Sequence, residues 1–163
     1  MKEHRNMYVV TGGAGFIGSN ILAALEDRGY EDLVAVDRLH DGSKWRNIAH
    51  RELSDIVEPV RVFEFLERHR QKIKAIFHMG AVSSTIEKDA DKILTNNFDY
   101  PMALLRWCAH HGIRLIYASS GATYGDGSNG FDDDASITHL AKFRPLNAYG
   151  WSKHLFDRRV ARR

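Results

Sequence analysis

Apolar residues along the chain fall into two alternating patterns. Met7–Thr11 and Leu33–Asp37 are apolar at nearly every position, as expected of strands buried on both faces. Between them Ile17, Ile21, Leu22 and Leu25 recur at helical spacing from Phe16 to Arg28, and Gly29 stops the pattern. Ser54–Val57 is a short third strand candidate, and Val60–Arg70, with Val60, Phe63, Phe65 and Leu66, predicts a helix. Ala75–Gly80 and Ile113–Ser119 predict two further strands. The segment between those two holds Ile93, Leu94, Leu104, Leu105 and Cys108 and predicts two helical stretches meeting near Pro101. Gly125–Arg144, rich in Gly, Asp and Ser, predicts a surface loop. Leu146–Arg162 predicts a closing helix, capped by Asn147, with Leu155, Phe156 and Val160 on one face. Strands alternating with helices predict the α/β class: a Rossmann-type doubly wound parallel sheet with helices on both faces, binding ligands at the carboxyl ends of its strands.

The chain has 163 residues, so a single domain, 1–163, is expected. A domain of this size buries roughly 70% of the surface its unfolded chain exposes. The 23 basic against 21 acidic residues leave a net charge of +2, too small for a nucleic-acid footprint, and no nucleic-acid partner is expected. One cysteine, Cys108, permits no internal disulfide and no Cys-based zinc site, which suits a reducing compartment, and a cytoplasmic location is expected. The apolar runs fall far short of the ~20 residues of a membrane span. Met-Lys-Glu-His-Arg-Asn at the start is followed by no apolar segment of signal-peptide length, so no membrane association is expected either.

The chemistry starts at Gly13-Ala14-Gly15-Phe16-Ile17-Gly18, a G-x-G-x-x-G run preceded by Gly12 and set between a strand and a helix. Such glycines allow a tight turn, backbone approach to a pyrophosphate, and close packing of helix on strand. The helix N-terminus then offers free N–H groups and its positive dipole end to the phosphates. Asp37 ends the next strand, 19 residues after Gly18, where a carboxylate can reach an adenosine ribose. Arg38 and Lys44 beside it could neutralise a 2′-phosphate, whereas Asp37 alone favours the unphosphorylated ribose; charge leaves NADP and NAD nearly balanced.

A second group follows the Ile113–Ser119 strand. Ser119 and Ser120 open Gly121-Ala122-Thr123-Tyr124-Gly125, and Tyr149 and Lys153 lie four apart on one face of the last helix. An ammonium beside a phenol favours the phenolate. With a serine hydroxyl to share the substrate oxygen, the set suits general acid–base work on an alcohol. Tyr149, Lys153 and Ser120 are therefore the catalytic candidates, with Lys153 also free to hold a nicotinamide ribose. The competing reading is an amphipathic surface pair. His110-His111 reads as a helix end, His78 as core or groove lining, and Asp132-Asp133-Asp134 as solvated carboxylates; no metal site is expected.

Thr11–Gly18, the Ser120 segment and Tyr149-Gly-Trp-Ser-Lys153 together resemble the extended short-chain dehydrogenase/reductase superfamily. Asp37–Lys44, Phe77–Thr85, Tyr117–Gly125 and Pro145–Asp157 further resemble its ADP-L-glycero-D-manno-heptose 6-epimerase family. Arg38 stands where that family often has Asn, Gly121 where it often has Ala, and the Gly125–Arg144 loop looks longer. The resemblance implies tightly held NADP, with NAD the lesser alternative. It implies cofactor contacts from Gly12, Gly15, Phe16, Ile17, Gly18, Asp37, Arg38, Lys44, the stretch Met79, Gly80, Ala81, Val82 and Ser83, Asn96, Tyr149 and Lys153. Ser83 and Ser120 are the implied substrate contacts. The implied activity is C6 epimerisation of an ADP-heptose nucleotide sugar through a ketone, in a homo-oligomer, supplying the lipopolysaccharide core. Family members run to about twice this length, so a truncated chain without its substrate-binding half, inactive alone, is expected. The alternatives are another nucleotide-sugar 4-epimerase or dehydratase, and a non-catalytic NADP-binding module.

Overall fold

β1 (Met7–Thr11) is buried at all five positions and β2 (Leu33–Val36) at all four, because each lies inside a parallel sheet with neighbours on both edges. The computed structural model describes residues 6–40 and 42–162. Met1–Arg5 (the segment read for a leader), Asp41 of the Asp37–Lys44 resemblance stretch, and Arg163 lie outside the described residues. The chain divides into two compact units, Met1–Gly80 with Trp107–Tyr117, and Ala81–Arg106 with Ala118–Arg163.

The first unit carries the sheet. Its order is β3-β2-β1-β4-β5, all parallel, with β3 (Asp55–Val57), β4 (Ile73–His78) and β5 (Arg114–Tyr117) completing it. In register, Val9 lies opposite Val34 and Ile76, and Thr11 opposite Val36 and His78. The order reverses at β1, where β2 leaves to one side and β4 to the other. Right-handed crossovers in those two directions put α1 (Phe16–Glu26) on one face and α2 (Val62–His69) on the other. Leu22 and Leu25 of α1 pack with Tyr8, Val10, Leu33, Ala35, Ala75 and Ile48. Burying side chains of the size of Leu22 and Leu66 contributes about 1.5–3 kcal/mol each. Val60, offered by sequence as the helix start, is exposed on a 3-10 turn, Pro59–Arg61, and α2 begins two residues later.

In the second unit the helical segment differs from its expected form. α3 (Ala90–Leu94) runs without a break through a π turn, Thr95–Asp99, into α4 (Tyr100–His111). Pro101 lacks the N–H for its helical bond and its ring crowds the carbonyl four residues back; the widened turn before it absorbs that misfit, so the two stretches do not part. The 125–144 loop also contains an element that its polar composition hid. Ser136 accepts from His139 N (3.3 Å) and starts the single-turn α5 (Ile137–Leu140). His139, Leu140 and Phe143 are buried, and the Phe143 ring lies 4.8 Å from Tyr124, 5.0 Å from His139 and 6.2 Å from His154. α6 (Ala148–Val160) is capped as expected, Asn147 Oδ1 accepting from Gly150 N at 2.8 Å. Its buried side chains are Ser152, Lys153, His154 and Phe156; Leu155 and Val160 are only half-buried.

The Phe143 ring is the buried aromatic anchor of the loop, so Phe143→Ala should cost about 3–5 kcal/mol and make the 125–144 segment the first site of proteolysis; thermal melts and limited digestion read both. Cys108 is 1% exposed, and burial pushes its thiol up to about 12. As the only thiol it reports opening of its surroundings. A disulfide reagent at neutral pH should modify the native chain orders of magnitude more slowly than the urea-unfolded chain; comparable rates would show that α4 is not closed.

Candidate functional site

The turn after β1 is built by exclusion of side chains. Gly12 sits at φ +66°, and a Cβ there would stand 2.7 Å from Gly80 N. A Cβ at Gly18 would collide with the Gly12 carbonyl oxygen, so α1 can approach β1 this closely only with glycine at that position. The first turn of α1 has no capping side chain and no carboxylate. Its N–H groups and dipole therefore face outward as an anion-binding end. Phe16 and Ile17, 84% and 56% exposed, flank it as apolar surface with nothing of this unit over them. The turn thus fits the pyrophosphate of a dinucleotide: the cradle is one that any Cβ would fill.

Asp37 braces that turn. Its Oδ2 accepts from Ala14 N (2.9 Å); its Oδ1 accepts from Arg38 N (2.7 Å) and pairs with Lys44 Nζ (2.6 Å). Asn47 donates to the Ala14 carbonyl at 2.8 Å, so Ala14 is held at both its polar groups. On the other side of β1, Thr11 Oγ1 bonds His78 Nδ1 (2.6 Å) and accepts from Gly80 N (3.2 Å), while Met79 N donates to Thr11 O (3.0 Å). Met79 and Gly80 are thereby aligned beside Gly12.

The second unit holds the remaining candidates. Lys153 is 5% exposed, and its Nζ donates to the Ala118 carbonyl at 2.8 Å. Burial pulls its ammonium below the ordinary lysine range, partly opposed by the Asp157 carboxylate. Tyr149, one turn earlier, is half-buried. Ser120 starts the 3-10 turn Gly121–Tyr124, its Oγ accepting from Ala122 N (3.2 Å). Asn97 is 1% exposed in the π turn; it accepts from Val82 N (2.8 Å) and donates to Val82 O (2.9 Å) and Ser152 Oγ (3.0 Å). Ser152 Oγ in turn donates to the Tyr149 carbonyl (2.7 Å).

Asp37, Lys44, Gly12, Gly15, Gly18, Met79 and Gly80 therefore lie in one local set of contacts, Tyr149 and Val82 are joined through Ser152 and Asn97, and Lys153 is bonded to Ala118. Arg38, Ala81 and Ser83 are exposed with their side chains outside those contacts. The Asn96 amide donates to the Lys92 carbonyl of its own helix (2.8 Å). Asn47 and Asn97 went unnoticed in the sequence; no spacing marks Asn47, and Asn97 is marked only by its place beside Asn96. Among the described residues no group of three or more His, Cys, Asp or Glu could hold a metal ion, and no helix is long and apolar enough to cross a membrane.

The chain is 46% identical over 153 residues to an ADP-L-glycero-D-manno-heptose-6-epimerase of Fusobacterium nucleatum, covering 93% of this chain and 46% of that protein. It spans about half the length of the curated relatives it matches. Among solved structures, the ADP-L-glycero-D-manno-heptose-6-epimerase of Helicobacter pylori superposes with a TM-score of 0.76 at 23% identity, over 98% of this chain and 51% of that one. A UDP-glucose 4-epimerase of Thermus thermophilus in complex with NAD gives 0.75 at 29% identity, over 95% and 50%. The model of the NAD dependent epimerase/dehydratase family matches residues 8–162, from β1 past the end of α6. With its glycine turn, its 3-2-1-4-5 sheet order and that match all along the same stretch, the chain belongs to the NAD dependent epimerase/dehydratase family.

Proposed function

We propose that this chain is the dinucleotide-binding and acid–base part of a nucleotide-sugar epimerase acting at C6 of ADP-D-glycero-D-manno-heptose. The observation that carries the chemistry is the buried ammonium of Lys153 one helical turn from Tyr149, on the face that meets the Ala118–Ser120 segment. The substrate class rests on relatives such as the Fusobacterium protein, which carry that name.

A nicotinamide dinucleotide held there would supply reversible hydride chemistry at the substrate carbon with no net redox change. The residues present would hold its phosphates at the α1 N-terminus and its adenosine ribose near Asp37, Arg38 and Lys44, with Met79 and Gly80 aligned beside the same turn. Tyr149 is the acid–base group that moves the proton of the C6 hydroxyl off its oxygen and returns it afterwards. Lys153 supplies positive charge one helical turn away. Ser120 orients the substrate oxygen. In the assembled protein these groups act in a homo-oligomer of the cytoplasm. A second reading, a UDP-sugar 4-epimerase, is favoured by the NAD-bound Thermus fold and is separated by offering ADP- and UDP-sugars side by side.

For the cofactor we favour NADP, because Arg38 is exposed beside Lys44 and both can face a 2′-phosphate. Arg38→Ala with Lys44→Ala should weaken NADP far more than NAD in a fluorescence titration; equal loss of both would remove the charge argument. In the full-length protein Tyr149→Phe should lower turnover of ADP-D-glycero-D-manno-heptose by about 10²–10⁴-fold and leave the bound dinucleotide in place. Near-normal turnover would give Tyr149 a structural role and overturn the acid–base reading.

A further inference from the structure

Tyr149, Lys153 and Asp157 recur every four residues on α6, so they form one stripe along the helix. The segment after β5 is fastened to that stripe twice. Lys153 Nζ donates to the Ala118 carbonyl (2.8 Å), and Ser119 Oγ donates to Asp157 Oδ2 (2.5 Å). Hydrogen bonds to a carboxylate are shorter and about twice as strong as neutral ones. The two residues that precede Ser120 are thus pinned by consecutive turns of the helix that carries Tyr149. Ser120 then has little freedom: its own Oγ accepts from Ala122 N and caps the turn that follows.

We propose that Asp157 is a positioning residue for the acid–base group: through Ser119 it fixes the segment carrying Ser120, and its carboxylate is the counter-charge one helical turn beyond the buried Lys153 on the same stripe of α6. The proposal rests on the acid–base reading of Tyr149, Lys153 and Ser120. An ammonium that is 5% exposed with one carbonyl acceptor is costly unless a negative charge stands near it. Asp157 is the group whose field raises the Lys153 affinity for its proton. The other charged groups around α6 are Arg158 and Arg144, which together with Asp157 act on His154, and His139 of α5, which packs on Phe143. A small misplacement of a reacting group costs up to about a hundredfold in rate, so the Asp157–Ser119 contact matters even though neither residue touches substrate.

The experiment uses the full-length protein with its bound dinucleotide, as wild type, Asp157→Asn, Asp157→Glu and Ser119→Ala. Two quantities are read: the titration of Lys153 by NMR of ¹⁵Nζ-labelled lysine, assigned through Lys153→Met, and the pH profile of kcat on ADP-D-glycero-D-manno-heptose. Asp157→Asn should move the Lys153 titration and the alkaline limb of kcat toward neutral pH, and lower kcat by about ten- to a hundredfold, with dinucleotide content unchanged. Asp157→Glu should recover much of both. Ser119→Ala should lower kcat while leaving the Lys153 titration in place, because the charge is retained. A Lys153 titration unmoved by Asp157→Asn, or an unaltered kcat in Ser119→Ala, overturns the proposal. If Asp157→Asn fails to fold, the Ser119→Ala and Asp157→Glu arms decide by the same criteria. A wild-type protein inert on that sugar refutes the substrate reading instead, and the Lys153 titration alone then decides the role of Asp157.

Discussion

How closely α1 can approach β1 governs the rest of the first unit. Four residues separate the end of the strand from the start of the helix, and at Gly18 its backbone passes so near the Gly12 carbonyl that no Cβ fits. That approach points the first-turn N–H groups out past the strand ends. It also leaves Ala14 in a position where Asp37 and Asn47 reach both its polar groups. A larger residue at 18 would lift the helix and, with it, break the fastening of the turn to β2 and to the 3-10 turn Lys44–Asn47. The anion-binding end is therefore a by-product of packing; among the described residues no side chain caps it.

Lys153 poses the opposite problem. A helix surface normally leaves its lysines in water, where they contribute little and cost nothing. Here the lysine is inside and the apolar Leu155 and Val160 are only half-buried, which inverts the usual amphipathic arrangement of α6. A sequence that folds for stability alone would place a leucine at 153. On the proposed acid–base reading, the inversion is where stability is given up for chemistry.

That inversion also explains what the sequence could and could not reveal. The strands were legible because parallel strands need unbroken apolar runs, and Met7–Thr11 and Leu33–Val36 have them. The glycine turn was legible because its requirement is steric and leaves a fixed spacing. Of the α6 face expected from Leu155, Phe156 and Val160, Phe156 is buried and the other two are half-buried, since a hydrophobic stripe cannot disclose a buried Lys, Ser and His. Pro101 suggested a break because local propensity cannot show the π turn that accommodates it. α5 escaped notice because its burial rests on His139, Leu140 and Phe143, three residues inside a polar loop. Asn97 and Asn47 act through amides that meet distant backbone, and no pattern along the chain encodes that.

The amide of Asn97 does for Val82 what a neighbouring strand does for a strand residue: it accepts from the N–H and donates to the carbonyl. Only a carboxamide can do both at once; a carboxylate would repel the carbonyl. Ala81 and Ser83 on either side are exposed. An extended segment lying in the open is ordinarily a template on which another chain can add a strand. At Val82 that template is already filled by a single side chain. That residue's edge is therefore not offered for aggregation.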